Sequence, residues 1–337
     1  MKRAALSIAL LLLGAAPLAA QPVKPLPLPD GKGGIGFDDL RFDAALGRLI
    51  IPAGRTGNVD LIDPATGAVT PIGGFSKIAR YDAGHGQSVT SADAGGGWLF
   101  ATDRTALSLA VVDVKAQRIV ARAPLASAPD YVRFVAATRE VWVTEPGKHR
   151  IEVFSLGSAT PPVPAHAAFI DAPGGPESLV VDGKRGRAYT HKWKSATMAI
   201  DLKTRAVVAT WAAGCGDPRG IALDEPRGFL LVGCEDGTAT ALDVEHGGKL
   251  LATVKSGSGV DLIAYDAARA HLYLPGDESA TVAIIGVAAT GALSLLGTAP
   301  TAKDAHCVTT DERGNAYVCD PQNGRLLVVH DPYPPQK

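Results

Sequence analysis

The sequence predicts an all-β fold, a seven-bladed β-propeller of four-stranded antiparallel blades, and three observations lead to it. A short apolar run, an aspartate, a turn and a second apolar run recur every 42 to 50 residues, which is a period typical of propellers. A second turn follows each of these markers after roughly 20 residues. No segment beyond residue 20 shows a convincing helical period.

Both landmarks favour aspartate, whose side chain accepts hydrogen bonds from the backbone of the turn that follows it. The first landmark falls at Asp43, Asp93, Val135, Asp182, Asp224, Asp266 and Asp311, and the second at Asp63, Asp113, Leu156, Asp201, Asp243, Gly286 and Asp331. Two landmarks that keep step argue for true repetition. We therefore expect seven blades in one domain, residues 21–337.

One unit shows the expected four strands of a blade. Apolar runs at 178–181, 187–190, 197–200 and 207–211 are separated by glycine-containing or polar turns. The last unit supplies only three strands, at 307–310, 315–319 and 325–330. We expect the extended, proline-rich segment 22–30 to add the outermost strand and close the ring, because an outermost strand tolerates proline.

The first 20 residues have the layout of a secretory signal peptide. Lys2 and Arg3 precede an apolar stretch at 4–13, and small residues follow at 15–20. The apolar core is shorter than the roughly 20 residues of a membrane-spanning helix, so we expect no transmembrane segment in the mature chain. The predicted location is the periplasm or the extracellular space.

The charge of the chain gives no electrostatic case for nucleic acid or an anionic membrane as partner. The formal net charge is -1, and loss of Lys2 and Arg3 with the leader changes it to about -3. Local basic patches exist, but a solvated face is the simpler interpretation of them. The expected partners are a small polar molecule or a protein, at the face described below.

Several runs resemble the YVTN repeat family of the YncE type. They are Ala188-Tyr189-Thr190, Leu272-Tyr273-Leu274 and Ala316-Tyr317-Val318, together with the run from Thr197 to Val208. The resemblance covers essentially the whole mature chain and implies an exported seven-bladed propeller. Related propellers serve as binding proteins, amine dehydrogenase subunits or lyases, so the resemblance implies no single reaction.

The four cysteines predict two disulfides within blades. Cys215 precedes an innermost strand and Cys234 ends the strand beside it, and Cys307 and Cys319 have equivalent places in the last unit. The two cysteines of each pair are expected to face each other across two antiparallel strands. An exported protein enters an oxidising compartment, where disulfides form and persist. Metal thiolates or redox chemistry are the alternatives, but no CxxC or CxxCH motif occurs.

A ring of polar residues is expected at the mouth of the central channel, where the innermost strands begin. Five residues before each first landmark lie Asp38, Ser88, Asp130, Glu177, Arg219, Asp261 and His306. The loops between second and third strands add Asp103, Glu145, His149, His191, Lys192, Trp193, Glu235, Asp277 and Asp320, and His85 approaches the same face. From these we select Asp38, Asp130, Glu177, Arg219, Asp261, His306 and His191 as ligand-binding residues.

This mouth predicts non-covalent binding of a ligand or a protein, while hydrated polar residues without a ligand are the plain alternative. A metal-assisted hydrolase or lyase is the second hypothesis, with a histidine base and Glu177 or Asp261 near the metal. It requires these groups within mutual reach and a cavity of ligand size. Asparagines typical of calcium lactonases are missing from the ring. The sequence assigns no catalytic residue, metal or cofactor.

The run Gly31 to Gly36 matches the spacing of a dinucleotide-binding loop, but it follows a proline-rich segment and does not begin a helix. We therefore expect it to be a flexible connection into the first blade.

Overall fold

Seven four-stranded antiparallel sheets form the propeller in the computed structural model, which describes residues 23–336. The strands are β1 (Lys24–Pro27) in blade 7; β2 (Arg41–Asp43), β3 (Arg48–Pro52), β4 (Val59–Ile62) and β5 (Val69–Ile72) in blade 1; β6 (Val89–Gly95), β7 (Trp98–Asp103), β8 (Ser108–Asp113) and β9 (Arg118–Pro124) in blade 2; β10 (Val132–Val135), β11 (Glu140–Glu145), β12 (Arg150–Leu156) and β13 (Pro164–Asp171) in blade 3.

Blades 4 to 7 repeat the pattern. They contain β14 (Glu177–Asp182), β15 (Arg187–Lys192), β16 (Ala196–Asp201) and β17 (Val207–Ala212); β18 (Pro218–Asp224), β19 (Phe229–Cys234), β20 (Thr238–Asp243) and β21 (Lys249–Lys255); β22 (Ala264–Asp266), β23 (His271–Gly276), β24 (Thr281–Val287) and β25 (Leu293–Pro300); and β26 (Val308–Thr310), β27 (Asn315–Asp320) and β28 (Arg325–His330). The described helical segments are three single 3₁₀ turns, Pro146–Lys148, Val244–His246 and Pro321–Asn323. The predicted fold class is confirmed.

The ring closes as the sequence predicted. The innermost strands β2, β6, β10, β14, β18, β22 and β26 each contact the next, and β26 contacts β2. Strand β1 pairs antiparallel with β28, with Lys24 opposite Val328 and Pro27 opposite Arg325. Blade 7 is therefore built from two parts of the chain that are distant in sequence, and its sheet joins them by backbone hydrogen bonds.

The recurring aspartates hold the turns at one end of the blades. The Asp182 carboxylate accepts a hydrogen bond from the Arg185 backbone N–H at 2.9 Å. The Asp201 carboxylate accepts from the backbone N–H groups of Lys203 and Thr204, at 3.0 and 2.9 Å. These two landmark aspartates thus accept hydrogen bonds from backbone N–H groups of a tight turn that would otherwise lack a partner. All these turns lie at the end opposite the channel mouth.

Apolar side chains from neighbouring blades fill the spaces between the sheets. The largest fully buried side chains include Trp142, Tyr189, Tyr273 and Phe100. The strand alternation places one set of side chains against the preceding blade and the other against the next. This apolar packing lies between the sheets, so polar residues can occupy the ends of the strands at the channel mouth.

The glycine-rich segment is a packed connection, in contrast to the expected flexible one. The Arg55 guanidinium donates to the carbonyl oxygens of Gly34 at 2.8 Å and Asp30 at 2.7 Å. A Cβ on Gly31 would lie 2.1 Å from the Gly324 carbonyl oxygen, so only glycine permits this approach of the two backbones. The segment therefore fastens blade 7 to blade 1.

Both predicted disulfides are present, Cys215–Cys234 in blade 5 and Cys307–Cys319 in blade 7. Their Cα atoms are 6.4 and 5.5 Å apart, which is the range that a disulfide spans. The predicted signal peptide, residues 1–20, lies outside the described residues. Among residues 23–336, no helix has the length and apolar character needed to cross a membrane.

Candidate functional site

A cavity of about 530 Å³ lies at the channel mouth, where the innermost strands begin. Its lining comprises Asp38, Tyr81, Ala83, Gly84, His85, Arg104, Asp130, Tyr131, Pro146, Glu177, Trp193, Arg219, Glu235, Gly259, Val260, Asp261, Asp277, Glu278, Asp304 and His306. The volume is within the range of small-molecule sites. It is mainly polar, since most of these side chains carry a charge or a hydrogen-bonding group.

Six of the seven residues expected in the innermost ring line this cavity. They are Asp38, Asp130, Glu177, Arg219, Asp261 and His306. Each sits just before or at the start of an innermost strand, so the seven-fold repetition brings them together. The seventh position, Ser88, is fully buried and does not line the cavity; its hydroxyl donates to the Ser76 carbonyl oxygen.

His191 does not lie where the sequence analysis expected it. It is the fifth residue of β15, its side chain is fully buried, and it does not line the cavity. Its Nδ1 is 3.0 Å from the Thr197 hydroxyl and its Nε2 is 3.4 Å from the Gly220 carbonyl oxygen. Burial lowers the pKa of this imidazole to about 4. These contacts give His191 a structural role between blades 4 and 5.

Acidic residues at the ends of other second strands also form hydrogen bonds or ion pairs with neighbouring protein groups. Asp103 accepts from the Ser76 backbone N–H at 2.7 Å. Glu145 accepts from the Arg150 guanidinium at 2.6 Å, and Asp320 from Arg325 at 2.7 Å. None of the three acids lines the cavity. Of the second-to-third loop residues selected from the sequence, Trp193, Glu235 and Asp277 do.

The cavity carries an excess of carboxylates. Asp38, Asp130, Glu177, Glu235, Asp261, Asp277, Glu278 and Asp304 line it, against the guanidinium groups of Arg104 and Arg219 and the imidazoles of His85 and His306. Arg104 pairs with Asp130 at 3.1 Å and Arg219 with Glu235 at 2.9 Å. Most of the remaining acids therefore face the cavity without an arginine partner.

Three of these acids bind protons unusually tightly. Burial, followed by the charges of Asp130 and Asp261, raises the pKa of Glu177 to about 9. Burial and the charge of Asp38 raise the pKa of Asp130 to about 7, and burial also raises the pKa of Asp261. Glu177 is held in place by the Trp193 indole N–H, which donates to it at 2.7 Å. Carboxylates forced together in this way gain most from a positive ligand.

His85 faces Asp38 across the rim of the cavity. Its Nδ1 lies 3.3 Å from Asp38 Oδ2, and its side chain is 43% exposed while that of Asp38 is 1% exposed. The charge of Asp38 raises the pKa of His85 to about 10. The His85 ring also packs at 5.1 Å, centre to centre, from the His306 ring.

His306 is fixed by two backbone carbonyl oxygens. Its Nδ1 lies 2.8 Å from the Asp304 oxygen and its Nε2 lies 3.0 Å from the Phe37 oxygen. Carbonyl oxygens only accept hydrogen bonds. A neutral imidazole has one N–H, so only one of the two carbonyl oxygens can accept a hydrogen bond from it.

One residue beyond Asp38, a buried ion pair links three innermost strands. The Arg133 guanidinium donates to both carboxylate oxygens of Asp39, at 2.5 and 3.0 Å, and to the Leu179 carbonyl oxygen at 2.8 Å. Arg133 also lies over the ring of Tyr131, which lines the cavity. This bidentate pair fixes blades 1, 3 and 4 relative to one another beside the cavity.

The sequence analysis missed several lining residues, among them Tyr81, Arg104, Tyr131 and Asp304. Arg104 and Tyr131 directly follow positions that it had singled out, so a wider window would have included them. Tyr81 and Asp304 lie on loops that connect successive blades. These loops vary in length from unit to unit, and periodicity does not place them.

Solved structures with the same architecture are numerous and functionally diverse. A chain from hydrazine synthase of Kuenenia stuttgartiensis is 13% identical with a TM-score of 0.69, covering 89% of this chain and 96% of that one. A chain of the mitotic checkpoint complex is 13% identical with a TM-score of 0.70, covering 96% and 99%. The Cps50 (Swd1) propeller domain of Myceliophteria thermophila is 12% identical with a TM-score of 0.67, covering 89% and 97%.

These similarities establish the propeller fold and leave the activity open. Neither a protein-family model nor a curated protein matches the chain. The resemblance to YVTN repeats therefore stays a prediction from the sequence.

Proposed function

We propose that this protein binds a small organic cation, an amine or a quaternary ammonium compound, in the cavity at the channel mouth. The observation that carries the proposal is the convergence of the buried carboxylates of Asp130 and Glu177 and the half-buried carboxylate of Asp261 on one cavity of about 530 Å³. A bound cation replaces repulsion among these groups by attraction. The low dielectric of a partly enclosed site strengthens that attraction.

Aromatic residues support the same class of ligand. Tyr81, Tyr131 and Trp193 line the cavity together with the acids. Aromatic faces attract ammonium groups, and an aromatic cage beside carboxylates is a common arrangement for amine recognition. The Trp193 indole N–H is already used by Glu177, so its ring rather than its N–H is available to a ligand.

A protein partner is the alternative occupant, with a lysine side chain entering the same cavity. Propellers commonly serve as interaction scaffolds, and one similar solved chain comes from the mitotic checkpoint complex. The enclosed, acid-lined cavity favours a small molecule, because a flat recognition surface would not need buried carboxylates.

Export to the periplasm or the extracellular space belongs to the same proposal. The two disulfides are stable in an oxidising compartment, and residues 1–20 have the composition of a signal peptide. The resemblance to exported YVTN propellers agrees with this location.

A metal-assisted hydrolase or lyase is the second candidate. Donor atoms of His85, Asp261 and His306 lie within 4.8 Å of one another beside the cavity, which meets part of the requirement set from the sequence. Turnover separates this candidate from a binding protein. Mass spectrometry of a bound ligand after incubation, with and without added divalent metal, would detect a product.

Calorimetric titration tests the main proposal with three probes of similar length, namely cadaverine, pentanediol and glutarate, in buffer containing EDTA. We expect cadaverine to bind at least roughly tenfold more tightly than pentanediol, a difference of about 1.4 kcal/mol. Glutarate should not bind measurably. Equal affinity for cadaverine and pentanediol, or a preference for glutarate, would contradict the proposal.

Two variants localise the binding. Glu177→Gln and Asp130→Asn each remove a carboxyl group that can ionise beside a bound cation, and each should weaken cadaverine binding by roughly tenfold. Asp243→Asn is the matched control, because Asp243 belongs to a turn at the opposite end of the blades. If the control weakens binding as much as the cavity variants do, the cavity is not the site.

A further inference from the structure

We infer that the rim of the cavity binds a divalent transition metal ion of the zinc class, held by His85, Asp261 and His306 with Asp38 beside them. One donor atom from each of the first three residues lies within 4.8 Å of the other two. Two imidazoles and a carboxylate suit zinc and its first-row neighbours better than calcium or magnesium, which prefer oxygen donors alone. This inference does not depend on amine binding.

The contact between Asp38 and His85 supports a metal independently. Asp38 Oδ2 and His85 Nδ1 lie 3.3 Å apart, and neither atom has a hydrogen-bond partner within residues 23–336. The side chain of Asp38 is 1% exposed, and its contact with His85 Nδ1 suits a carboxylate that orients a histidine whose Nε2 binds a metal.

The surroundings of His306 match those of a metal ligand. Metal-bound histidines usually donate their second ring N–H to a carbonyl or carboxylate oxygen. The Nδ1 contact with the Asp304 carbonyl oxygen, at 2.8 Å, supplies such a bond. This leaves Nε2 to bind the metal, and the Phe37 carbonyl oxygen, 3.0 Å from Nε2, would then lie within reach of the ion.

Charge and coordination number agree with a zinc-class ion. The carboxylates of Asp38 and Asp261 neutralise the two positive charges, while the imidazoles bind as neutral ligands. His85, Asp261 and His306 are three protein ligands, and the fourth position of a tetrahedral ion is left for the Phe37 carbonyl oxygen, water or a ligand. An open position of this kind distinguishes reactive zinc sites from closed structural ones. The metal would thus present a Lewis acid to whatever enters the cavity.

Zinc titration of the full chain after EDTA treatment and dialysis tests the inference. We expect one zinc ion per chain, with a dissociation constant of roughly 1 μM or below, and release of protons on binding. His85→Gln and His306→Gln should each weaken binding by roughly 100-fold, about 2.7 kcal/mol. His246→Gln is the matched control, because His246 also contacts a carboxylate, Asp243 Oδ2 at 2.7 Å, but at the opposite end of the blades.

Three outcomes overturn the inference: no stoichiometric zinc binding, equal loss in the His246 variant, or full binding in both cavity variants. Should the glutamine variants fail to fold, cobalt substitution of the unaltered protein still decides. A four- or five-coordinate site with nitrogen ligands gives intense visible absorption that zinc abolishes, whereas weak absorption like that of aqueous cobalt overturns the inference.

The two proposals fail separately. Glu177→Gln should lose cadaverine affinity and keep zinc binding, while His85→Gln should lose zinc binding and, with every cavity carboxylate still in place, should not weaken cadaverine binding in EDTA. If zinc binds and cadaverine does not, amine recognition fails alone. If cadaverine binds and zinc does not, the metal site fails alone.

Discussion

The two ends of the blades use the same acidic side chains in opposite ways. At the turn end, backbone N–H donors hold the pKa of Asp63 and Asp201 below the ordinary value. At the cavity end, burial and neighbouring negative charges raise the pKa of Glu177 and Asp261 above it. The difference lies in the donors that the local backbone supplies, since the turns offer N–H groups and the mouth offers other acids.

The comparison separates structural acids from candidate functional ones. A carboxylate bonded to its own turn stabilises the fold and needs no ligand. A buried carboxylate that faces other acids lowers stability, and such a cost is typical of sites selected for binding. The predictions that follow test this division in order of decreasing effect.

Asp60 is the largest exception to this division, because it is buried, has no hydrogen-bond partner among residues 23–336 and does not line the cavity. It lies in β4, and neither carboxylate oxygen has a hydrogen-bond partner within the described residues. Burial, followed by the charge of Asp30, raises its pKa to about 7. The folded state therefore holds a proton that the unfolded chain releases, so this group costs stability as pH rises from about 4 to 7, by about 4 kcal/mol in full.

Asp60→Asn should accordingly gain about 4 kcal/mol over the native protein at pH 8 and almost nothing at pH 4. Urea denaturation at several pH values measures the gap. Asp63→Asn, a turn acid three residues away, is the control and should gain nothing. If the stability difference between Asp60→Asn and the native protein does not change with pH, the pKa of Asp60 is not raised by burial. Asp60 would then no longer be an exception to the contrast between the two ends.

His191 extends the comparison to a basic side chain, which lies near the cavity end of its strand but is fully buried. Burial lowers its pKa to about 4, so the unfolded chain binds a proton between pH 6.5 and 4 that the folded protein does not. Stability should fall by about 3 kcal/mol as pH drops through this window. The difference between the native protein and His191→Asn in denaturant unfolding should follow that curve, and a flat difference would contradict the burial of this imidazole.

The smallest effects are expected from comparing one variant at each end of the blades. At pH 6, Glu177→Gln should stabilise the unliganded protein by about 2 kcal/mol, because the native Glu177 must take up a proton on folding, whereas glutamine does not and still offers an acceptor to Trp193. Asp201→Ala should destabilise it, because the substitution removes the hydrogen bonds from the backbone N–H groups of Lys203 and Thr204 and the ion pair with Arg187. Thermal unfolding measures both. Changes of the same sign would break the comparison between cavity acids and turn acids.

The fold could be predicted because its signals are local and repeated. The turn aspartates, the alternating apolar strands and the cysteine spacing each depend on neighbouring residues, and all seven blades, both disulfides and the closing strand agree with the expectation. Repetition averages over exceptions such as Val135, which ends β10 without an aspartate. Packing between blades then follows from the strand pattern.

The candidate site was only partly predictable, because it depends on side-chain direction. Position in the repeat placed Glu177 and Asp261 at the mouth. It did not show that His191 turns toward Thr197, since a β15 residue near the strand end can face either neighbour. Tyr81 and His85 come from a connecting loop of irregular length, so their approach to the cavity depends on tertiary packing.

The pairing of β1 with β28 has a consequence for synthesis. These strands are separated by roughly 300 residues, and at 5 to 20 residues per second a ribosome needs roughly 15 to 60 s to cover that distance. During this interval β1 has no partner and the ring stays open. Pro25 and Pro27 cannot donate backbone hydrogen bonds, which limits aggregation through this waiting strand until the final blade emerges.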